Sequence, residues 1–281
     1  MEDKVFDTIV ISGGALKGFA LLGALQCLVD QNKLLQVKKF IGTSIGAMIS
    51  YLMCIGYTPI EIMVHLCKND WMNKMANFDI LKAVNGGGAL SFSIINELLE
   101  KMTIEKIGRL LSLGELHQTF GKELICCTFN LSKQDIEFIN PIDNPEIQCL
   151  IALRMTSNLP ILFEPFHYNS CFYVDGAVIC NFPLFKVDLD KDTAIAIKFK
   201  YTNKESLDFS PNKKAFMSYL YDLIVIPAVF IEDHLNKQHL QNCKIIEMDA
   251  TSLSSLNFQM TMNDRLEMFS TGYETTRVTL N

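Results

Sequence analysis

Short apolar runs and longer helical ones alternate along the first part of the chain. Residues 5 to 12, VFDTIVIS, are apolar and β-branched and stop at Gly13-Gly14, which predicts a buried strand. After GGALKG, the stretch FALLGALQCLVDQNKL carries apolar residues on more than one face, the mark of a helix sunk in a larger body. Residues 37 to 43, VKKFIGT, predict a second strand, and IGAMISYLMCIG a second buried helix ending near Gly56. Strand, helix, strand, helix is the pattern of an α/β fold. The right-handed crossover rule makes the two strands parallel, with their C-terminal ends on one edge, so the loop at Gly13 and the turn at Ser44 are expected to be neighbours.

Further on, residues 57 to 120 read as mostly helical, interrupted by NGGGALS at 85 to 91, and SIINELLEKM predicts a helix with a serine cap. Gly86, Gly87 and Gly88 mark a loop, with a flap hinge as the alternative. KELICCTF at 122 to 129 predicts a strand and DIEFI at 135 to 139 its hairpin partner. PEIQCLIALRMTS at 145 to 157 predicts a helix that closes before Asn158 and Pro160. CFYVD at 171 to 175 and TAIAIKF at 193 to 199 are predicted strands. From 211 a helical stretch with Pro227 inside it precedes a strand, KIIEMDA at 244 to 250, and a final amphipathic segment. LIVIPAVFI at 223 to 231 is half as long as the roughly 20 residues that cross a bilayer; burial in the core is expected of it, contact with a bilayer surface being the alternative.

With 281 residues, 49% of them hydrophobic, the chain can bury a sizeable core and is not disordered. The net charge of −6 and the lack of a long basic run argue against nucleic acid as partner, and against a purely electrostatic grip on anionic membrane. The acidic start, MEDKVFDTIV, lacks the basic n-region of a secretory signal, which points to a soluble or peripheral cytoplasmic protein. Nine cysteines without C-x-x-C spacing, Cys126 and Cys127 adjacent in an apolar run, suit reduced, mostly buried thiols. Thirteen methionines and 19 phenylalanines read as core filler and pocket lining.

Chemistry enters at FIGTSIGA. Gly42, Ser44 and Gly46 fit the G-x-S-x-G elbow, a sharp strand-to-helix turn that exposes a serine oxygen. Acyl transfer by serine also needs a base and donors for the oxyanion. GGALKG, at a strand end and opening a helix, offers backbone amides with a helix N-terminus behind them. The competing P-loop reading fails, because Phe19 follows Gly18 and Lys17 precedes it; a dinucleotide fingerprint fits only loosely, with Ala15 in place of a glycine.

GGALKG, GTSIGA about 30 residues later, and YVDGAV at 173 to 178 together resemble the patatin-like phospholipase family, with its Gly-rich loop, G-x-S-x-G serine and D-G-[GA] aspartate. LIALRMTSNLPILFEPF and AVICNFPL are similar to the stretches that flank the family's aspartate strand. The likeness covers residues 6 to 190, a patatin-like core; residues 191 to 281 match no motif and are expected to complete the same domain. The resemblance implies a three-layer α/β architecture, with a parallel or mixed central sheet flanked by helices. It implies Ser44 as nucleophile, Asp175 as general base, an oxyanion loop of Gly13, Gly14, Ala15, Lys17 and Gly18, elbow glycines Gly42 and Gly46, and an aspartate motif completed by Gly176 and Ala177. No cofactor or metal is implied. The expected partners are a phospholipid or other glycerolipid and, transiently, a membrane surface. The implied activity is phospholipase A-type acyl hydrolysis, with a triacylglycerol or carboxylester lipase, or a silent lipid- or partner-binding module, as alternatives. An α/β-hydrolase using His234 or His239 competes on chain order but asks for more strands before the serine than fit.

Overall fold

In a computed structural model of the chain, the described residues are 5–68, 71–76, 79–200, 213–249 and 259–281. Residues 69, 70, 77, 78, 211, 212 and 250, included in the predicted elements, lie outside them. Among the described residues eight strands form one mixed sheet: β1 (Thr8–Ile11), β2 (Lys39–Thr43), β3 (Glu123–Asn130), β4 (Asp135–Ile139), β5 (Phe166–Tyr168), β6 (Cys171–Asp175), β7 (Ala194–Lys200) and β8 (Lys244–Asp249), in the order β5-β6-β3-β2-β1-β7-β8 with β4 also on β3. β1 is parallel to both β2 and β7, and all four of its residues are buried, as a strand covered on both faces requires.

One junction in this sheet positions the site. β3 pairs with β4 along Cys126–Asn130, so β4 occupies one of its edges. Its other edge is shared end to end, with parallel β2 along Glu123–Cys127 and antiparallel β6 along Thr128–Asn130. Thr43 therefore faces Cys127 and Asp175 faces Thr128, neighbouring residues of one strand. Segments more than 130 residues apart in sequence end at the same place.

Helices cover both faces: α1 (Gly18–Asp30), α2 (Ile45–Cys54), α3 (Pro59–Lys68), α4 (Trp71–Met75), α5 (Ile80–Val84), α6 (Ser93–Ile107), α7 (Leu113–Phe120), α8 (Cys149–Thr156), α9 (Lys213–Asn236) and α10 (Met262–Leu280). The larger core lies between the sheet and α1, α2, α6 and α8; the smaller holds Val10, Ile41, Phe182 and Leu184 on the opposite face. α1 and α10 approach backbone to backbone, since a Cβ on Gly23 or Gly272 would collide with a carbonyl of the other helix. No single described helix is long and apolar enough to cross a membrane.

Three local expectations are corrected. The helix predicted from 145 begins at Cys149, because residues 145 to 148 form a turn pinned by hydrogen bonds from Gly114 and Leu113 to the carbonyls of Pro145 and Ile147. α6 has no serine N-cap: Phe92 holds that position, and the Glu164 carboxylate accepts its N–H. The stretch from 223 to 231 is only partly core, with Ala228 buried and Val229 packed against the main cluster. Leu223, Ile226 and Phe230 are 52%, 45% and 76% exposed, because α9 turns Ala228, Glu232 and Asn236 inward instead. Gly86 and Gly88 have positive φ in a loop fastened by Ala89 and Leu90 N–H donors to Ile161 and Leu162.

Candidate active site

β2 ends at Thr43 and α2 starts at Ile45, which leaves one residue for the turn. Ser44 takes it with φ 54° and ψ −126°, a conformation costly for a residue with a Cβ. The flanking glycines follow from the tightness of the turn. A Cβ on Gly42 would lie 2.6 Å from the Ala47 nitrogen, and one on Gly46 would strike the carbonyl oxygens of Ile11 and Ser12. The strain is held by hydrogen bonds: Ser44 N–H donates to Thr156 Oγ1 at 3.1 Å, and Thr156 Oγ1 donates to the Cys127 carbonyl.

Asp175 ends β6. Its N–H donates to the Asn158 carbonyl at 3.0 Å, its Oδ1 accepts from Ala177 N–H at 2.8 Å, and its Oδ2 accepts from Ser44 Oγ at 2.6 Å. Gly176 is required because a Cβ there would lie 2.5 Å from the Cys127 carbonyl. The carboxyl is fully buried, whereas Ser44 retains 8% exposure, so the serine alone meets the cleft. Burial raises the Asp175 pKa from 3.8 to about 7, against the opposing pull of the Ser44 and Ala177 hydrogen bonds. A hydroxyl donating to a buried carboxylate of raised basicity is an arrangement suited to proton transfer from serine.

The Gly-rich loop lies beside the elbow, as the crossover rule requires; a Cβ on Gly13 would be 3.3 Å from Ser44 Cβ. Three of its five candidate amides are already used. Gly13 N–H donates to the Asn181 carbonyl, Lys17 N–H to Gly14, and Gly18 N–H to Ala15. Among the described residues no acceptor lies on the amides of Gly14 and Ala15. Ala15 itself has φ 49°, a left-handed conformation that glycine would adopt at less cost. Lys17 is buried, with its ammonium 5.6 Å from the Phe199 ring centre.

An apolar cleft opens at Ser44 between Leu16, Met48, Trp71, Leu159 and Phe163. Sharing Ala15, Leu16, Ile45, Met48, Trp71 and Ile95 with it, a second cavity runs on to Leu52, Ile62 and Met102 between α2, α3 and α6. His239 Nε2 bonds with the Val187 carbonyl, and neither it nor His234 is a partner of Asp175, whose oxygens are taken by Ser44 and Ala177. These contacts do not favour the alternative that uses the histidines. Among the described residues no group of three or more His, Cys, Asp or Glu is placed to hold a metal ion.

The model of the patatin-like phospholipase family matches residues 9–188. A protein described as probable lipid hydrolase 463L, from invertebrate iridescent virus 6, is 33% identical over 284 aligned residues, which cover 98% of this chain and 89% of that one. The chain belongs to the patatin-like phospholipase family. Crystal structures of VipD from Legionella pneumophila and of the type III effector ExoU from Pseudomonas aeruginosa share its fold, with TM-scores of 0.60 and 0.57 at 17% and 15% identity. Each alignment covers 99% of this chain, but 67% of the VipD chain and 53% of the ExoU chain. Membership makes the chain one of a family of lipid hydrolases acting on esters.

Within this family frame, sequence reading missed the residues that brace the candidate pair. Thr156 and Asn158 sit in the quoted stretch before the aspartate strand, Asn181 in the stretch after it; their signal was position alone. Glu232, an acid following the apolar run at 223 to 231, is the least expected of them.

Proposed function

We propose that the chain is a phospholipase A-type acyl hydrolase in which Ser44 is the nucleophile and Asp175 its general base. The observation that carries this reading is the 2.6 Å contact between Ser44 Oγ and Asp175 Oδ2, with the carboxyl fully buried and the serine open to an apolar cleft. In this reading Ser44 Oγ attacks the ester carbonyl carbon while its proton passes to Asp175 Oδ2. The carbonyl oxygen becomes an oxyanion, received by the amides of Gly14 and Ala15. Collapse of the tetrahedral species breaks the ester C–O bond, and Asp175 returns the proton to the departing alcohol. Water, deprotonated by the same carboxylate, then cleaves the acyl-enzyme to fatty acid and free serine. The cavity from Ser44 to Met102 supports an acyl chain as the buried part of the substrate.

The exposed Leu223, Ile226 and Phe230 of α9 support transient contact with a membrane surface during substrate capture. We further read residues 191 to 281 as completing the same domain, since β7 lies beside β1 and α10 against α1.

A fluorophosphonate probe tests the nucleophile: labelling of the wild-type protein in the presence of lipid, abolished in Ser44→Ala, is expected. No labelling of either would replace this reading with a non-catalytic lipid-binding module. Mass spectrometry of products from a mixed phospholipid and triglyceride panel is expected to find lysophospholipid and fatty acid; consumption of triglyceride alone would make the protein a neutral-lipid lipase.

A further inference from the structure

Glu232 is 5% exposed and Asn236 1%, one turn apart on the inner face of α9. An acid buried on a helix is costly unless its oxygens find donors. Glu232 Oε2 accepts from Phe182 N–H at 2.8 Å, and the Asn181 amide also stabilises its charge. Asn236 Oδ1 accepts from Phe185 N–H and its Nδ2 donates to the Phe182 carbonyl, both at 2.8 Å. A single stripe of one helix therefore grips the backbone from Asn181 to Phe185.

The same segment grips the Gly-rich loop from its other side. The Asn181 carbonyl accepts from Gly13 N–H at 3.0 Å, and Asn181 Nδ2 donates to the Gly13 carbonyl at 3.3 Å. Gly13 immediately precedes the two amides left without an acceptor. α9 also packs on the turn Gly176–Val178, where Ala177 N–H holds Asp175 Oδ1. Two sides of the site thus lean on one helix from the part of the chain that matches no family motif.

We propose that Glu232 is a positioning residue: by fixing Asn181 it sets where the Gly14 and Ala15 amides point. The inference rests on the reading of Ser44 as nucleophile and of those amides as oxyanion donors. Main-chain donors have no side-chain freedom with which to recover their aim, so a loop shift of about 1 Å carries a penalty of up to roughly 10²-fold in rate. Burial lifts the Glu232 pKa to about 8, while Lys198 and the two amides oppose the rise. The task requires an acceptor oxygen, which the acid has in either protonation state. Glutamine also supplies one.

Hydrolysis of a soluble short-chain ester by the full chain, with rates normalised to folded protein by circular dichroism, tests this. Glu232→Ala is expected to lower kcat about 10- to 100-fold with KM within about twofold, and Glu232→Gln to restore kcat to within about threefold of wild type. Asn181→Ala, which removes only the side-chain link to Gly13, is expected to lower kcat at least tenfold, and decides the matter if Glu232→Ala does not fold. Folded Glu232→Ala with near wild-type kcat, a folded Glu232→Gln without rescue, or an unaffected Asn181→Ala would each overturn the inference while leaving Ser44 as nucleophile intact. A wild-type protein without turnover would overturn both.

Discussion

At the scale of single residues, the decisive quantity is the environment of Asp175. An exposed aspartate is a poor base toward an alcohol, and full burial is what lifts it to about 7. In the proposed role of base it acts ionised, so kcat is expected to fall as pH drops through about 7, one acid limb measurable with a soluble ester. Stability has the opposite sign. Between about pH 4 and pH 7 the folded state holds a proton that the unfolded chain releases, so this group lowers stability as pH rises through that window. Asp175→Asn keeps an oxygen for Ala177 N–H and an amide that donates to Ser44 Oγ. It is expected to abolish turnover, by 10³-fold or more, while raising the melting temperature at pH 8; retained activity would remove Asp175 from the reaction. Ser44, Gly42 and Gly46 stand out in the sequence because steric need leaves a local signature, a glycine wherever backbone passes backbone, while Asp175 is implied by the family resemblance. Thr156 and Glu232 do not, since a hydrogen bond across 29 or 50 residues imposes no pattern on its neighbours.

Among the elements, those with strong periodicity were legible and those defined by partners were not. β1, α1, β2 and α2 follow from their apolar patterns within a few residues of the observed ends. The start of α8 did not, because apolar residues ahead of Cys149 are spent on a turn against α7. α9 misled for a related reason: its apolar run suggested burial, while Leu223, Ile226 and Phe230 face outward and the helix contacts the body through Ala228, Val229 and two polar side chains, among others. α6 is tied over the cleft by Arg154, which stacks 4.1 Å from the Phe92 ring centre and pairs with Glu164 at 3.3 Å, and burial lowers its pKa to about 10. The helices α2, α3 and α6 line the cavity. Leu52→Trp, which fills its far end, is expected to favour short acyl chains over long ones by about tenfold in kcat/KM, read from a series of esters of increasing length. An unchanged preference would place the acyl chain elsewhere.

Over the whole molecule, the exposed apolar residues of α9 lie on the helix that braces the site from behind. Replacing Ile226 and Phe230 with serine removes two large side chains, each worth about 1.5–3 kcal/mol when buried, and is expected to weaken sedimentation with phospholipid vesicles at least tenfold. Hydrolysis of a soluble ester is expected to change less than twofold; equal vesicle binding would exclude this face from the contact. The end-to-end sharing of β3 also decides where the architecture tolerates insertions. Outside β3 and α8, the chain between the elbow and the aspartate strand can lengthen or shrink without separating the two side chains, because both are registered from adjacent rungs, Cys127 and Thr128. One extra residue between those rungs would turn half the ladder to the opposite face and part the pair while the rest of the molecule stood.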